Sequence, residues 1–265
     1  GNRSTSRRPW DRKETRVWIP VCWELVLLYD GWHGCYRVRS GPVLADRIMN
    51  AVIDRRPATE RFNLINDAWA TTVAGLMSLT DYLDLTARFT EERDKNVWAL
   101  LLESFSFLNR IITVEDRPAL EAFVRGRVSS AVADLGWEPK HGESELTKQL
   151  RVELIGAQGK LGNDPAIQQR AVELYRAYRH DAKDVDPNIV PSLVAILAHT
   201  GDAARYEEFD EQFRTAVTPQ EERRYLFSLA AFKPKALRER TLARTISGEI
   251  RSPDGPFLVS AMIGK

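Results

Sequence analysis

The stretch from residue 59 to residue 75 reads TERFNLINDAWATTVAG, and its pattern is repeated through most of the chain. Its bulky and β-branched residues recur at steps of three and four, the spacing of one face of an α-helix. Thr59 and Glu60 suit a helix start, and Gly75 suits a helix end. The periodic positions are Phe62, Ile65, Trp69, Thr72 and Val73. We therefore expect one amphipathic helix here.

The same alternation of helical stripe and turn signal runs from Pro42 to the end of the chain. Upstream, a stripe that begins after Pro42 stops at Arg56-Pro57. Downstream, Ser78 or Thr80 can cap a helix that ends near residue 90. Further helices are expected at 91–112, 116–135, 143–159, 165–180, 187–198, 202–217, 219–232 and 234–247. Helices of this length with short connections fold as antiparallel pairs.

Stacked helix pairs bury a face that no single pair can bury alone, which is the physical basis of an α-solenoid. No strict repeat signature is visible, so the stack would be irregular. The predicted fold class is therefore all-α, as an irregular HEAT- or armadillo-like α-solenoid of antiparallel helix pairs, with a small N-terminal β-hairpin element.

The two ends of the chain differ in texture from its middle. Residues 1–16 are polar and basic without periodicity, which is typical of a disordered lead. Residues 17–41 contain apolar runs around the two-glycine stretch DGWHG, which suits a hairpin loop. The helical domain is expected at 42–265. The apolar run at 256–263 begins a helix, so either the fold continues beyond it or a terminal helix docks on the core.

The composition excludes several classes of protein. Of 265 residues, 43% are hydrophobic and 28% charged, and 38 basic residues balance 37 acidic ones. A net charge of +1 gives no general attraction to nucleic acid or to an anionic membrane. Cys22 and Cys35 are interpreted as free thiols rather than a bridge, which favours a reducing, cytoplasmic compartment. No secretory signal or membrane-spanning run is visible.

The sequence also contains no recognisable catalytic constellation. A zinc protease helix needs two imidazoles one turn apart and a nearby carboxylate, but no His-Glu-x-x-His occurs. Nucleophile-elbow, phosphate-binding and dinucleotide motifs are equally absent. The acidic run at 91–94 is interpreted as charge at a helix start. The isolated histidines are His33, His141, His180 and His199. We therefore predict neither a catalytic residue nor a metal ligand.

Three blocks of sequence stand far apart in the chain. They read GWHGCYRVR at 31–39, ERFNLINDAWA at 60–70 followed by Ala74-Gly75, and SGEIRSPD at 247–254. In this order they resemble the C-terminal helical region of M1-family zinc aminopeptidases, of the endoplasmic-reticulum-aminopeptidase type. Arg61, Glu92 and Trp98 occupy further positions of that resemblance. The blocks LGWE at 135–138 and GNDP at 162–165 resemble bacterial, actinobacterial-type members in particular.

The resemblance runs from about Val26 to Gly264 and implies a function. The family's catalytic half is missing, and the β element at 17–41 resembles a remnant of the β-sandwich that precedes the helical domain. The chain would be the C-terminal substrate-chamber domain of an enzyme that removes N-terminal residues from peptides with a zinc-activated water. Alone it would be non-catalytic and hold no zinc. Its implied partners are an M1 catalytic domain, in cis or in trans, and a peptide.

Arg251 and Asp254 are the candidate peptide-binding residues, since Arg251 follows Gly248 at a helix-to-helix connection. A basic side chain on the chamber wall can hold a carboxylate or a peptide carbonyl by charge-assisted hydrogen bonds. In the alternative interpretation, Arg251 and Asp254 form an intradomain ion pair and a helix cap. The rival function is that of a stand-alone α-solenoid scaffold for a protein or peptide partner.

Overall fold

The computed structural model describes residues 56–250 and 253–263. This part of the chain contains eleven α-helices and no strand, so the all-α class is confirmed. The helices are α1 (Ala58–Val73), α2 (Leu79–Thr86), α3 (Lys95–Ile111), α4 (Arg117–Leu135), α5 (Glu145–Lys160), α6 (Pro165–His180), α7 (Val190–Thr200), α8 (Ala203–Thr215), α9 (Pro219–Leu229), α10 (Lys235–Ile246) and α11 (Gly255–Ile263). The predicted lead, hairpin and first helix lie outside the described residues.

Local capping fixes most of the helix starts. The Ser78 hydroxyl accepts from the N–H of Asp81, so Ser78 rather than Thr80 caps α2. Asp94 caps α3 through the N–H groups of Asn96 and Val97. The start predicted at residue 91 is therefore wrong. At the end of α1, Gly75 has φ +69°, a backbone conformation that glycine adopts at little cost.

Each odd-numbered helix contacts the next odd-numbered helix along the chain. α1 contacts α3, α3 contacts α5, α5 contacts α7, α7 contacts α9, and α9 contacts α11. Neighbouring helices pack as well, most extensively α8 with α9, α6 with α7 and α4 with α5. The odd-numbered helices therefore form one continuous layer in the described chain. No helix in this part is both long and apolar enough to cross a bilayer.

Contacts between alternate helices give their relative direction. The Ser192 hydroxyl on α7 donates to the Val152 carbonyl on α5 at 2.7 Å. One turn or two further along, Gly159 of α5 faces Ile196 of α7. Residue numbers rise together, so α5 and α7 run parallel. α8 and α10 do the same through the pairs Tyr206–Thr241, Glu207–Arg240 and Asp210–Arg244.

The contact of α5 with α7 depends on glycine. A Cβ added at Gly159 would lie 2.7 Å from Cδ1 of Ile196 and 3.3 Å from Cγ2 of Ile167, both too close for an undisturbed fit. Gly126 on α4 is the contrasting case, because a Cβ added there would meet nothing within 4 Å. Gly159 therefore permits the close approach of α5 and α7, whereas Gly126 contributes only backbone flexibility in the unfolded chain.

We expect Gly159→Ala to lower the free energy of unfolding by up to about 2 kcal/mol. Overpacking costs about 1–3 kcal/mol, and the gain in helix propensity returns about 1 kcal/mol. Gly126→Ala should instead raise the free energy of unfolding by about 0.5–1 kcal/mol. Urea unfolding of both variants measures the contrast. Equal stabilisation by the two substitutions would contradict the close approach.

Aromatic rings fill the core of the second half. Phe209 lies edge-on to Tyr175 at 5.7 Å, to Tyr225 at 5.3 Å and to Phe232 at 6.0 Å between ring centroids. The hydroxyls of Tyr175 and Tyr225 are 3.1 Å apart, and burial raises the pKa of both phenols. Burying two hydroxyls costs little free energy when they form a hydrogen bond with each other. This core ties α6, α8 and α9 together.

Candidate functional site

An open cleft of about 590 Å³ lies between the end of α3 and one side of α11. Arg110 forms the α3 wall, and the α11 wall consists of Pro256, Val259, Ser260 and Ile263. The four α11 positions are spaced at three and four residues, so they share one face of the helix. The cleft thus lies between two helices that are far apart in the sequence.

The other side of α11 fixes this wall in place. Leu258 is fully buried and packs with Leu226, Ala230 and Ile250, with Met262 at the edge of the same cluster. The expectation that the run at 256–263 forms a helix is confirmed, and the helix docks on the core through Leu258. α11 is therefore apolar on two sides, one packed and one facing the cleft.

Arg110 stands at the last turn of α3 and is exposed to solvent. Its guanidinium lies over the ring of Phe107, 5.4 Å from the ring centroid, which is within cation–π range. Among residues 56–250 and 253–263, no carboxylate pairs with it. A guanidinium at the rim of an apolar cleft can donate charge-assisted hydrogen bonds to an anionic ligand.

Of the two residues predicted to bind peptide, only Asp254 is among the described residues. Arg251 lies outside the described residues. Asp254 immediately precedes α11 and is half-buried, with its Oδ1 3.7 Å from Nη2 of Arg223. Its carbonyl accepts from the N–H of Leu258. Asp254 is not part of the cleft wall, which begins two residues later.

The chain leading to Arg251 is held by an ion-pair network. Oε1 of Glu249 lies 3.0 Å from Nη2 of Arg214 and 3.0 Å from Nη2 of Arg244. Nη1 of Arg244 in turn lies 2.6 Å from the buried carboxylate of Asp210. The next residue, Ile250, is buried in the core under α11. The backbone is therefore anchored on the near side of Arg251.

Sequence reasoning missed the role of the acidic run at 91–94. Glu92 is 1% exposed, and its carboxylate accepts from Nε and Nη2 of Arg61 at 2.6 and 2.8 Å. It also accepts from the N–H groups of Arg93 and Asp94. The Glu92 carbonyl accepts from Nε1 of Trp98. The interpretation of this carboxylate as charge at a helix start is therefore wrong. Its side chain is buried and connects Arg61 on α1 with the turn that precedes α3.

A second buried pair stabilises the connection from α4 to α5. Arg151 on α5 is 1% exposed, donates through Nε to the Leu135 carbonyl at 3.2 Å, and pairs with Glu143. The hydrogen bond from Arg151 holds the pKa of the Glu143 carboxyl below its usual range. No local pattern in the sequence indicates this pair, because its two members lie in different turns of the chain, eight residues apart.

Metal binding finds no support in this part of the molecule. Within residues 56–250 and 253–263, no group of three or more His, Cys, Asp or Glu side chains could hold a metal ion. The resemblance implies zinc only in a separate catalytic domain, so no described residue is assigned to it.

Comparison with known proteins identifies the relatives. Residues 25–265 match the family described as the ERAP1-like C-terminal domain. Aminopeptidase 2, mitochondrial, of Saccharomyces cerevisiae is 27% identical over 199 residues, covering 74% of this chain and 21% of that protein. Aminopeptidase M1 of Arabidopsis thaliana is 28% identical over 240 residues, covering 86% and 27%. Glutamyl aminopeptidase of Rattus norvegicus is 26% identical over 189 residues, covering 70% and 20%.

These matches agree with one another and with the helical architecture. The chain spans about a fifth to a quarter of the length of these relatives, so it corresponds to one part of each. The family match, by contrast, covers most of the chain and includes every described helix. On that match, the chain belongs to the family of ERAP1-like C-terminal domains.

Proposed function

We propose that this chain is the substrate-chamber domain of an M1 zinc aminopeptidase, an enzyme that releases N-terminal amino acids from peptides. The family match over residues 25–265 is the observation that carries the proposal. The names of the relatives support it, because each is an aminopeptidase. These names do not favour the alternative of a stand-alone scaffold. Zinc and the catalytic residues belong to a separate catalytic domain, so this chain alone is non-catalytic.

The proposed architecture is an irregular HEAT- or armadillo-like α-solenoid at 42–265, preceded by a lead at 1–16 and a β-hairpin element at 17–41. The ordered contacts between odd-numbered helices support the solenoid, as does the parallel direction of α5 and α7. A stack of this kind offers one extended surface, which suits contact with a long flexible ligand. We propose that this surface lines the peptide chamber.

Within that chamber, Arg251 and Asp254 are the proposed peptide contacts. The support comes from the anchors around Arg251: Glu249 in its ion-pair network, Ile250 in the core, and Asp254 at the start of α11. A long side chain between fixed points loses less freedom on binding than one in a loose loop. Arg251 would hold a peptide carbonyl or carboxylate, while Asp254 also pairs with Arg223.

The proposed partner is an M1 catalytic domain, supplied in cis or in trans. A cytoplasmic setting is proposed on the scarcity of cysteine, with Cys22 and Cys35 as free thiols. The bacterial, actinobacterial type is proposed on the blocks at 135–138 and 162–165. The test of function needs only this chain and a catalytic domain, so it does not depend on the cellular location or on the bacterial type.

The decisive experiment adds this chain to a separately expressed M1 catalytic half and measures the release of N-terminal residues from peptides, together with zinc content. We expect the mixture to turn over peptides at least about tenfold faster, because a closed chamber orients the substrate at the reacting centre. Arg251→Ala should raise the KM for peptides more than it raises the KM for single-residue p-nitroanilides. Unchanged turnover and no association would contradict the proposal and favour a scaffold. Chelator-sensitive cleavage by the chain alone would contradict its non-catalytic character.

A further inference from the structure

We propose that Lys160, the last residue of α5, is a modification site whose amine takes an acyl group from small, uncharged acyl donors. The inference goes beyond the proposed function and does not depend on it. Among residues 56–250 and 253–263, three lysines are half-buried: Lys95, Lys148 and Lys160. Lys160 differs from the other two in the groups that surround its amine.

The other two half-buried lysines each have a carboxylate partner. Nζ of Lys95 lies 3.1 Å from Oε1 of Glu153, and Nζ of Lys148 lies 2.6 Å from Oε1 of Glu145. Such a pair stabilises the ammonium form, and the hydrogen bond to Glu145 raises the pKa of Lys148. Within the described part of the chain, the amine of Lys160 has neither a carboxylate nor a hydrogen-bond acceptor.

The backbone acceptors around the end of α5 are already occupied. A lysine in the last turn of a helix can hydrogen-bond the last carbonyls of that helix. The three carbonyls that precede Lys160 each accept another hydrogen bond, and they belong to Ala157, Gln158 and Gly159. Their donors are backbone N–H groups that follow α5 and the side-chain amide of Gln168. The local backbone therefore does not hold the amine.

The carboxylate nearest to Lys160 in the sequence, Asp164, also has other partners. Its Oδ2 accepts from Nε2 of Gln158 at 2.8 Å, and its Oδ1 accepts from two N–H groups at the start of α6. The side chains that α6 and α7 present to the second half of α5 are uncharged: Ile167, Gln168, Ser192 and Ile196. From α4, the guanidinium of Arg125 donates to the Gly162 carbonyl, and a cation there gives an ammonium group no stabilisation.

The stem of Lys160 folds back along α5. Its Cε lies 3.8 Å from the position that a Cβ on Gly156 would take, one turn earlier in the helix. Oγ of Ser192 on α7 lies 3.1 Å from the same position. The missing side chain at Gly156 therefore leaves room for the lysine beside α7. Burial without a partner disfavours the ammonium form, so the pKa of Lys160 lies below its usual value.

An amine in these surroundings is suited to acyl transfer. Only the neutral amine has the lone pair that attacks a carbonyl carbon, and a lowered pKa makes that form more abundant near neutral pH. A bond forms between Nζ and the acyl carbon, the leaving group departs with the electrons of its bond to that carbon, and the amine proton passes to water. The product is a neutral amide, which costs less to bury than a charged group. The site therefore favours acylation over reactions that leave a charge on the lysine.

The test is competitive acylation of the full chain. A trace of acetic anhydride reacts with the folded protein at several values from about pH 6 to about pH 10, and the remaining amines are then acetylated with the deuterated reagent in urea. Mass spectrometry of the peptides gives a relative rate at each lysine. At about pH 7 we expect Lys160 to react at least about fivefold faster than Lys148, since each unit of lowered pKa gives about tenfold more neutral amine. The rate at Lys160 should also level off at a lower pH.

Internal and variant controls assign the effect to the surroundings of Lys160. Lys183 is exposed between α6 and α7 and gives the rate of an ordinary amine. Glu145→Gln should raise the rate at Lys148 and leave the rate at Lys160 unchanged. Ser192→Asp places a carboxylate beside the stem of Lys160 and should lower its rate to that of Lys148. Circular dichroism checks the fold, and if Ser192→Asp does not fold, the pH profile of the unmodified chain decides.

Acylation of Lys160 that is no faster than that of Lys148 at about pH 7 would overturn the proposal. So would a rate at Lys160 that levels off at the same pH as the rate at Lys183. An unchanged rate at Lys160 in a folded Ser192→Asp variant would have the same consequence. These results are independent of turnover with a catalytic half, so failure here would leave the proposed function standing.

Discussion

Replacing Arg151 with methionine should lower the free energy of unfolding by about 3–5 kcal/mol, the usual cost of removing one partner of a buried ion pair. Methionine fills much of the same space but donates nothing. Glu143, whose side chain is 7% exposed, would lose its partner, and the Leu135 carbonyl would lose a donor. Urea unfolding followed by circular dichroism gives the free energy directly.

Two control variants separate charge from packing at this site. Arg151→Met combined with Glu143→Leu should recover most of the loss, because an apolar pair can replace a buried ion pair. Arg170→Met breaks an exposed pair with Glu173, in which both side chains are 47% exposed, and should cost no more than about 1 kcal/mol. Similar losses in Arg151→Met and Arg170→Met would contradict the buried role of Arg151.

The same pair predicts a dependence on pH. The pKa of Glu143 is lower in the folded protein than its usual value, mainly because of the hydrogen bond from Arg151. The unfolded chain therefore binds the proton more readily, and this contribution to stability is present above the usual carboxyl pKa. It is lost as the pH falls through the lower pKa of the folded state. In Arg151→Met this acid-sensitive contribution should disappear.

Replacing Glu92 with alanine should cost a similar amount, about 3–5 kcal/mol, because the largely buried guanidinium of Arg61 would lose the carboxylate of Glu92. Two backbone N–H groups, those of Arg93 and Asp94, would also lose their acceptor. Urea unfolding followed by circular dichroism measures the loss.

Glu91→Ala is the matched control, since Glu91 is the neighbouring acid but is exposed. We expect it to change the free energy of unfolding by no more than about 0.5 kcal/mol, the usual range for surface positions. If Glu91→Ala and Glu92→Ala had the same effect, the acidic run would act as general helix-start charge. Glu92→Gln tests charge at nearly constant shape, and its effect should lie between the two.

Local signals made most of the helices predictable. The prediction at 165–180 agrees with α6 at both ends, because Asp164 accepts from the first N–H groups and Pro165 occupies the first turn. The prediction failed where a residue interacts with a partner that is distant in the sequence. Glu92 reads as helix-start charge in sequence, but its partner Arg61 is 31 residues away.

The cleft was beyond prediction for the same reason. Arg110 is an ordinary basic residue at a helix end, and only the folded chain brings α11 opposite it. The resemblance instead drew attention to Arg251 and Asp254, in a block of family sequence. Asp254 pairs with Arg223, which no local pattern indicated, while Arg251 remains a prediction.

The glycine contact between α5 and α7 has a consequence for curvature. In a stack of helices each spacing adds to the next, so a small change of angle in the middle becomes a larger displacement at the ends. Gly159 sits at such a middle spacing, with α3 on one side and α9 and α11 on the other. In the proposed solenoid, the width of the cleft between α3 and α11 would therefore depend partly on Gly159, which does not line it, and we expect a single methyl group there to alter the opening from a distance.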